Sequence, residues 1–230
     1  VIYYSMSVTN IISRDMIIPF VAIPTTDLLL CVLIGTKTRW FQLHAAVNAI
    51  IVSIIYEDVI KLYIDPIENN GELSSQMEGY FIIFLHIYHL FISKNLSFMD
   101  YFHHILFVGL GFVPAFLVYT NNLIRLASFA GCGITGFLEY SSLVLVKHNL
   151  IDSLKQKKFN SYLYNYVRYP LSLYSIVAMY MAYKKNNLTI NPLMLTYICI
   201  IIFFNGAFYN KLTVENYIQH KQIKQKNINL

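Results

Sequence analysis

Apolar residues fall into seven runs, at about 16–35, 40–62, 78–93, 100–119, 122–146, 167–183 and 192–210. A helix needs about 20 mostly apolar residues to cross a bilayer. The pattern therefore predicts an all-α, multi-pass membrane helix bundle of about seven transmembrane helices, in a single domain spanning 1–230. The third run is the short one, and Pro24 and Pro114 are expected to kink the first and fourth helices. No internal repeat is visible. Connections are short except for 63–77, with turn residues Asn69, Asn70 and Gly71, and for 147–166. The latter is basic with spaced apolar positions, which predicts one or two interfacial amphipathic helices.

Composition agrees. Charged residues make up 13% of the chain, against roughly 25% in a soluble domain. The net charge of +5 sits in short loops, so anionic lipid surface rather than nucleic acid is the expected counter-charge. Cys31, Cys132 and Cys199 lie inside apolar runs, odd in number and far apart, and read as small hydrophobes. No charged segment with a cleavage site precedes the first run, so targeting is expected to rest on that run itself. Twelve of the 17 lysines and arginines fall on one side of the seven-span arrangement, which puts the C-terminus in the cytosol and the N-terminus in the lumen. Asn187-Leu188-Thr189 is then a luminal sequon close to the membrane.

Polar residues within the runs gather at one depth. His44 lies four residues after Trp40, His89 four before Ser93, and His103 and His104 three and four after Asp100. At about 1.5 Å per residue, all lie roughly 5–6 Å below the same, cytosolic, interface. Asn48, His86, Glu139 and Asp27 come a turn or so deeper. His86 and His89 share a helix face, as do His44 and Asn48, and Cys132, Thr135, Glu139 and Ser142 follow helical spacing. His103 and His104 are about 100° apart, so only one is expected to point squarely into a cavity.

Each feature also has a plainer reading. A lone membrane histidine is more often a hydrogen-bonded packing residue than a catalyst. Ser97-x-x-Asp100 reads as a capping box, and Glu57 and Asp58 as an interfacial carboxylate pair. Gly131, Gly133 and Gly136 read as close-packing positions, and the many Tyr and Phe as lipid contact and interfacial belt. The histidine spacing differs from the boxes of membrane di-iron enzymes, and the expected metal is none. Neutral imidazoles in a partly dry cavity suit general-base or acyl-acceptor roles better.

The stretches WFQLHAAVNAIIV, LHIYHLFI, MDYFHHILF and NNLIRLASFAGCG together resemble the TLC-domain family, which includes the ceramide synthases; the likeness covers roughly 36–210. It implies six helices around a cavity and residence in the endoplasmic reticulum. It further implies His103 and His104 as the pair that serves transfer of a fatty acyl group from acyl-CoA to a lipid amine. Acyl-CoA is then a co-substrate, with no other cofactor. Membrane lipids are the partners, nucleic acid is not, and a homodimer stays open. On this reading Glu139 orients an imidazole, although it stands one residue beyond an acidic position of the family pattern. His44, Asn48, His86, His89, Asp27 and Thr135 line the substrate pocket. The alternative is a non-catalytic lipid-binding or membrane-regulating protein, since the family contains such members. A channel is a weaker third reading, because no helix carries a ring of charges.

Overall fold

A computed structural model describes residues 2–93, 96–118 and 121–228, with side chains described between 14 and 226. Val1, Lys94 and Leu230, on which the orientation reading partly rests, lie outside the described residues. Among the described residues there are seven continuous helices and no β-strand. They are α1 (Ile2–Leu33), α2 (Arg39–Ile64), α3 (Met77–Ile92), α4 (Phe98–Val118), α5 (Ile124–Lys147), α6 (153–184) and α7 (Pro192–Ile228). Five of the seven are long and apolar enough to cross a membrane, and Met77–Ile92 is a shorter apolar helix. The remaining helix, α6, begins with the polar turns SLKQKKFNSYL.

Helix α2 is the most buried of the long apolar helices because its apolar residues repeat at helical spacing. Leu43, Val47, Ile51, Ile55 and Leu62 are all fully buried. It packs along α5 on one side and α3 on the other. From α3 the neighbours run to α4, then α7, α6 and back to α5, closing a ring of six helices. Helix α1 stands outside, against α2 and α3. There Asp27 is held by Nε and Nη2 of Arg39 at 2.5–3.0 Å and by the Tyr88 hydroxyl at 2.8 Å.

Helix starts follow local chemistry. The capping box at Ser97 and Asp100 is formed in both directions, and Asp152 accepts the backbone N–H groups of Leu154 and Lys155. Three stretches wind as π-helix: His103–Phe112 in α4, Phe129–Gly133 in α5 and Tyr164–Arg168 in α6. Two of the three lie just before a proline, Pro114 and Pro170. Proline carries no N–H for the carbonyl four residues back, and its ring crowds that carbonyl. The orphan left by Pro114 is the Leu110 carbonyl, which accepts from the Tyr197 hydroxyl on α7 instead. The turns before Pro114, where a kink is expected, are wound as π-helix.

Two further expectations are corrected. The basic stretch 147–166 does not form separate interfacial helices. After a turn in which Asn149 adopts positive φ, its helix runs on into α6 and turns Gln156 and Asn160 inward on α5. Asp58 is not half of an interfacial carboxylate pair either, because it is bonded to Arg125. Arg125 also holds Glu78 at 3.0 Å and the Ser75 carbonyl at 2.8 Å. This buried ionic cluster ties α2, α3 and α5 together at the end of the bundle away from the histidines, beside the 65–76 loop.

Candidate functional site

At the histidine end of the ring lies a polar cavity of about 270 Å³, to which all six ring helices contribute. Trp40, His44 and Asn48 come from α2, His86 and His89 from α3, and Asp100, His103 and His104 from α4. Helix α5 supplies Gly131, Cys132, Gly136, Glu139 and Tyr140, α6 supplies Tyr164 and Arg168, and α7 supplies Tyr209. Asn48 reaches its place because Gly136 faces it, where a side chain on α5 would collide with the Asn48 amide.

A second, apolar chamber of about 100 Å³ adjoins the first. Phe107, Gly111 and Ala115 line it at i+4 spacing along α4, so it extends about 12 Å toward the opposite end of the bundle. His103, Gly131, Cys132 and Arg168 line both chambers and form the neck between them. Gly131 differs from its neighbouring glycines. A Cβ there would meet nothing within 4 Å, so its missing side chain is part of the open neck rather than a close-packing contact.

The imidazoles bond to one another. His89 Nδ1 and His104 Nε2 lie 3.0 Å apart, and His86 Nε2 and His103 Nε2 lie 3.2 Å apart. His86 Nδ1 is 2.7 Å from the Ile82 carbonyl, and His44 Nδ1 is 3.3 Å from the Trp40 carbonyl. The Trp40 ring lies on His89 at a centroid distance of 3.1 Å and is set edgewise to His44 at 3.4 Å. Both members of the His103–His104 pair line the cavity, although ordinary helical rotation predicts only one. The π-helix that starts at His103 alters the local winding.

Glu139 does not orient a histidine. Its carboxylate accepts from the Tyr164 hydroxyl and from Asn160 Nδ2 at 3.3 Å. Arg168 backs this arrangement, donating to Tyr164 Oη and to Asn205 Oδ1 at 2.8 Å each and lying over the Tyr164 and Tyr209 rings. The group that orients His103 is Tyr209, whose hydroxyl is 2.8 Å from Nδ1.

Asp27 and Thr135, expected in the pocket, lie elsewhere. Asp27 is engaged by Arg39 and Tyr88. Thr135 is fully buried and donates to the Ala130 carbonyl at 2.7 Å, across the π turn of α5. Sequence reasoning missed Tyr209, Tyr164, Arg168 and Trp40 as walls of the site. The tyrosines are hidden among 19 in the chain, and Arg168 reads as one more interfacial cation. The available signal is the Tyr164–Arg168 spacing of four, which puts a phenol and a guanidinium on one helix face.

Among the described residues no three His, Cys, Asp or Glu side chains are placed to hold one metal ion. Four of the imidazole nitrogens pair with one another, and those of His86 and His44 that face the backbone meet carbonyls. Compared with family models, curated proteins and solved structures, the chain gives no match.

Proposed function

We propose that this chain is a membrane lipid acyltransferase of the ceramide-synthase type, moving a fatty acyl group from acyl-CoA to a lipid amine. Its seven helices cross the membrane of the endoplasmic reticulum, N-terminus luminal and C-terminus cytosolic, with the histidine cavity toward the cytosol. One observation carries the reading: His103 stands at the neck joining a polar, imidazole-lined cavity to an elongated apolar chamber. An amphiphile with its chain in the apolar chamber has its reactive head among the histidines. That is the placement acyl transfer requires, since a positioned base contributes about 10²–10⁴-fold only within hydrogen-bond reach of the proton it takes. The resemblance of the quoted stretches to the TLC-domain family supports the same activity.

The competing reading is a non-catalytic lipid-binding protein. What favours it is the mutual bonding of His86 with His103 and of His89 with His104, which a layer that merely satisfies its own polar groups would also show. Purified chain in lipid nanodiscs, given a long-chain acyl-CoA and long-chain amines, separates the two. The acyltransferase forms an N-acyl lipid and free CoA, whereas the binding protein retains lipid and releases no CoA.

A further inference from the structure

Two arginines of the bundle are paired directly with acids, Arg39 with Asp27 and Arg125 with Asp58 and Glu78. Arg168 is not. Only 6% of it is exposed, yet among the described residues it forms no ion pair. Its guanidinium donates to two neutral groups, the Tyr164 hydroxyl and the Asn205 amide oxygen, and Glu139 is joined to it only through that hydroxyl. Its Nε is buried without a partner. A guanidinium carries five N–H donors, so two hydrogen bonds leave the fork largely unused.

Taking a cation out of water costs several kcal/mol unless opposite charge or hydrogen bonds offset it. The rings of Tyr164 and Tyr209 beneath the guanidinium return only part of that, about 0.5–2 kcal/mol each. The position of Arg168 says what completes it. With His103, Gly131 and Cys132 it lines both chambers, at the neck between them. Tyr209 touches both functional groups: the guanidinium lies 5.0 Å from its ring centroid, and its hydroxyl is 2.8 Å from His103 Nδ1. An amphiphile with its chain in the apolar chamber therefore brings its first oxygen-bearing carbon beside Arg168. An ammonium head is repelled there by the fixed positive charge, whereas a carbonyl or carboxylate oxygen is drawn in.

We propose, resting on the acyl-transfer reading, that Arg168 binds the head of the acyl substrate. Its unused N–H groups take the carbonyl oxygen of an acyl chain seated in the apolar chamber. A free long-chain carboxylate binds the same fork more tightly, because its charge complements the guanidinium. The acyl carbon then lies beside His103, and the lipid amine approaches from the polar cavity. Arg168 thus decides which of the two substrates puts its chain in the apolar chamber.

Dodecanoic acid, dodecanol and dodecylamine share a chain and differ only in the head, so together they isolate the effect of Arg168. Equilibrium binding to the full chain in nanodiscs at pH 8, with empty nanodiscs subtracted, should favour the acid over the alcohol by about tenfold or more. The amine should bind more weakly than the alcohol. Arg168→Gln should cut the acid-to-alcohol ratio to about threefold or less while leaving dodecanol affinity within about threefold of wild type. Arg168→Lys keeps the charge without the fork and should fall between the two. Nitrogen-15 NMR of arginine-labelled chain gives a second measurement that does not depend on Arg168→Gln folding. Dodecanoic acid should shift the Arg168 Nε signal, identified by its loss in Arg168→Lys. Equal wild-type affinity for acid and alcohol, an unmoved Arg168 signal, or a preference retained in Arg168→Gln would overturn the proposal. Release of CoA from a long-chain acyl-CoA in the presence of a lipid amine separates the parent reading. Turnover without any head-group preference keeps that reading and rejects this one. Selective, Arg168-dependent binding without turnover removes the transfer activity and leaves an acyl-head site.

Discussion

The Tyr209 hydroxyl on α7 is hydrogen-bonded to Nδ1 of His103 on α4 across 2.8 Å. The contact joins two helices that are far apart in sequence, and it holds the imidazole at the neck between the two chambers. Tyr209→Phe removes the hydroxyl partner and leaves a half-buried ring nitrogen unsatisfied. The expected cost is about 1–3 kcal/mol, read as a lower midpoint in thermal unfolding of the detergent-solubilised chain. Any change in His103 orientation should appear as a shift of its nitrogen-15 signals and not those of His44.

The Leu110 carbonyl supports a second prediction. Pro114 deprives it of its helical donor, and the Tyr197 hydroxyl supplies one. Tyr197→Phe alone should therefore destabilise by about 0.5–1.5 kcal/mol, because the carbonyl, on the outer surface of the bundle, loses its hydroxyl donor. With Pro114→Ala present, position 114 again has an N–H, and the Tyr197→Phe cost should shrink. A double-mutant cycle measures the coupling, and strictly additive effects would show that the two residues do not share the carbonyl.

How much of this was legible in the sequence depended on distance along the chain. His89 and His104 meet because α3 and α4 are consecutive, and the Ser97–Asp100 capping box between them can be read directly. The depth of the polar layer follows from helical rise alone. What could not be read is whatever depends on helices brought together from afar. Tyr209 reaches His103, and Arg168 reaches Asn205, only because α7 closes the ring. Asp27 has the right depth for the cavity but stands on the one helix outside the ring, where Arg39 holds it. The π turns escape a reading based on a 3.6-residue period, although Pro114 and Pro170 mark where two of them end. Glu139 lines the cavity as expected, but its carboxylate is taken by a tyrosine on α6.

Arg125 is the anchor at the other end of the bundle. Its side chain is 3% exposed and bridges Asp58 of α2 and Glu78 of α3. Removing one member of a buried ionic set leaves uncompensated charge, at a cost of about 3–5 kcal/mol. Arg125→Met should lose that much stability, and Glu78→Gln in the same chain should recover part of it. Unfolding in mild detergent monitored by circular dichroism decides this. A loss below about 1 kcal/mol would show that the cluster behaves like a surface pair.

The neck gives the sharpest separation between fold and function. Gly131 lines both chambers, and a side chain added there enters open space instead of striking packed atoms. Gly131→Leu should therefore fold, with its thermal midpoint near the wild-type value, since Leu is a better helix former than Gly by roughly 1 kcal/mol. Its side chain should nevertheless fill the passage beside His103 and Cys132. A photoactivatable fatty acyl probe should label Phe107 or Ile198 in the apolar chamber of the wild-type chain and lose that labelling in Gly131→Leu. Gly131→Ala, with a single methyl group, should retain most of it. Equal labelling in all three would mean that the apolar chamber is reached from the lipid side rather than through the histidine cavity, and the placement of the acyl chain would have to be redrawn.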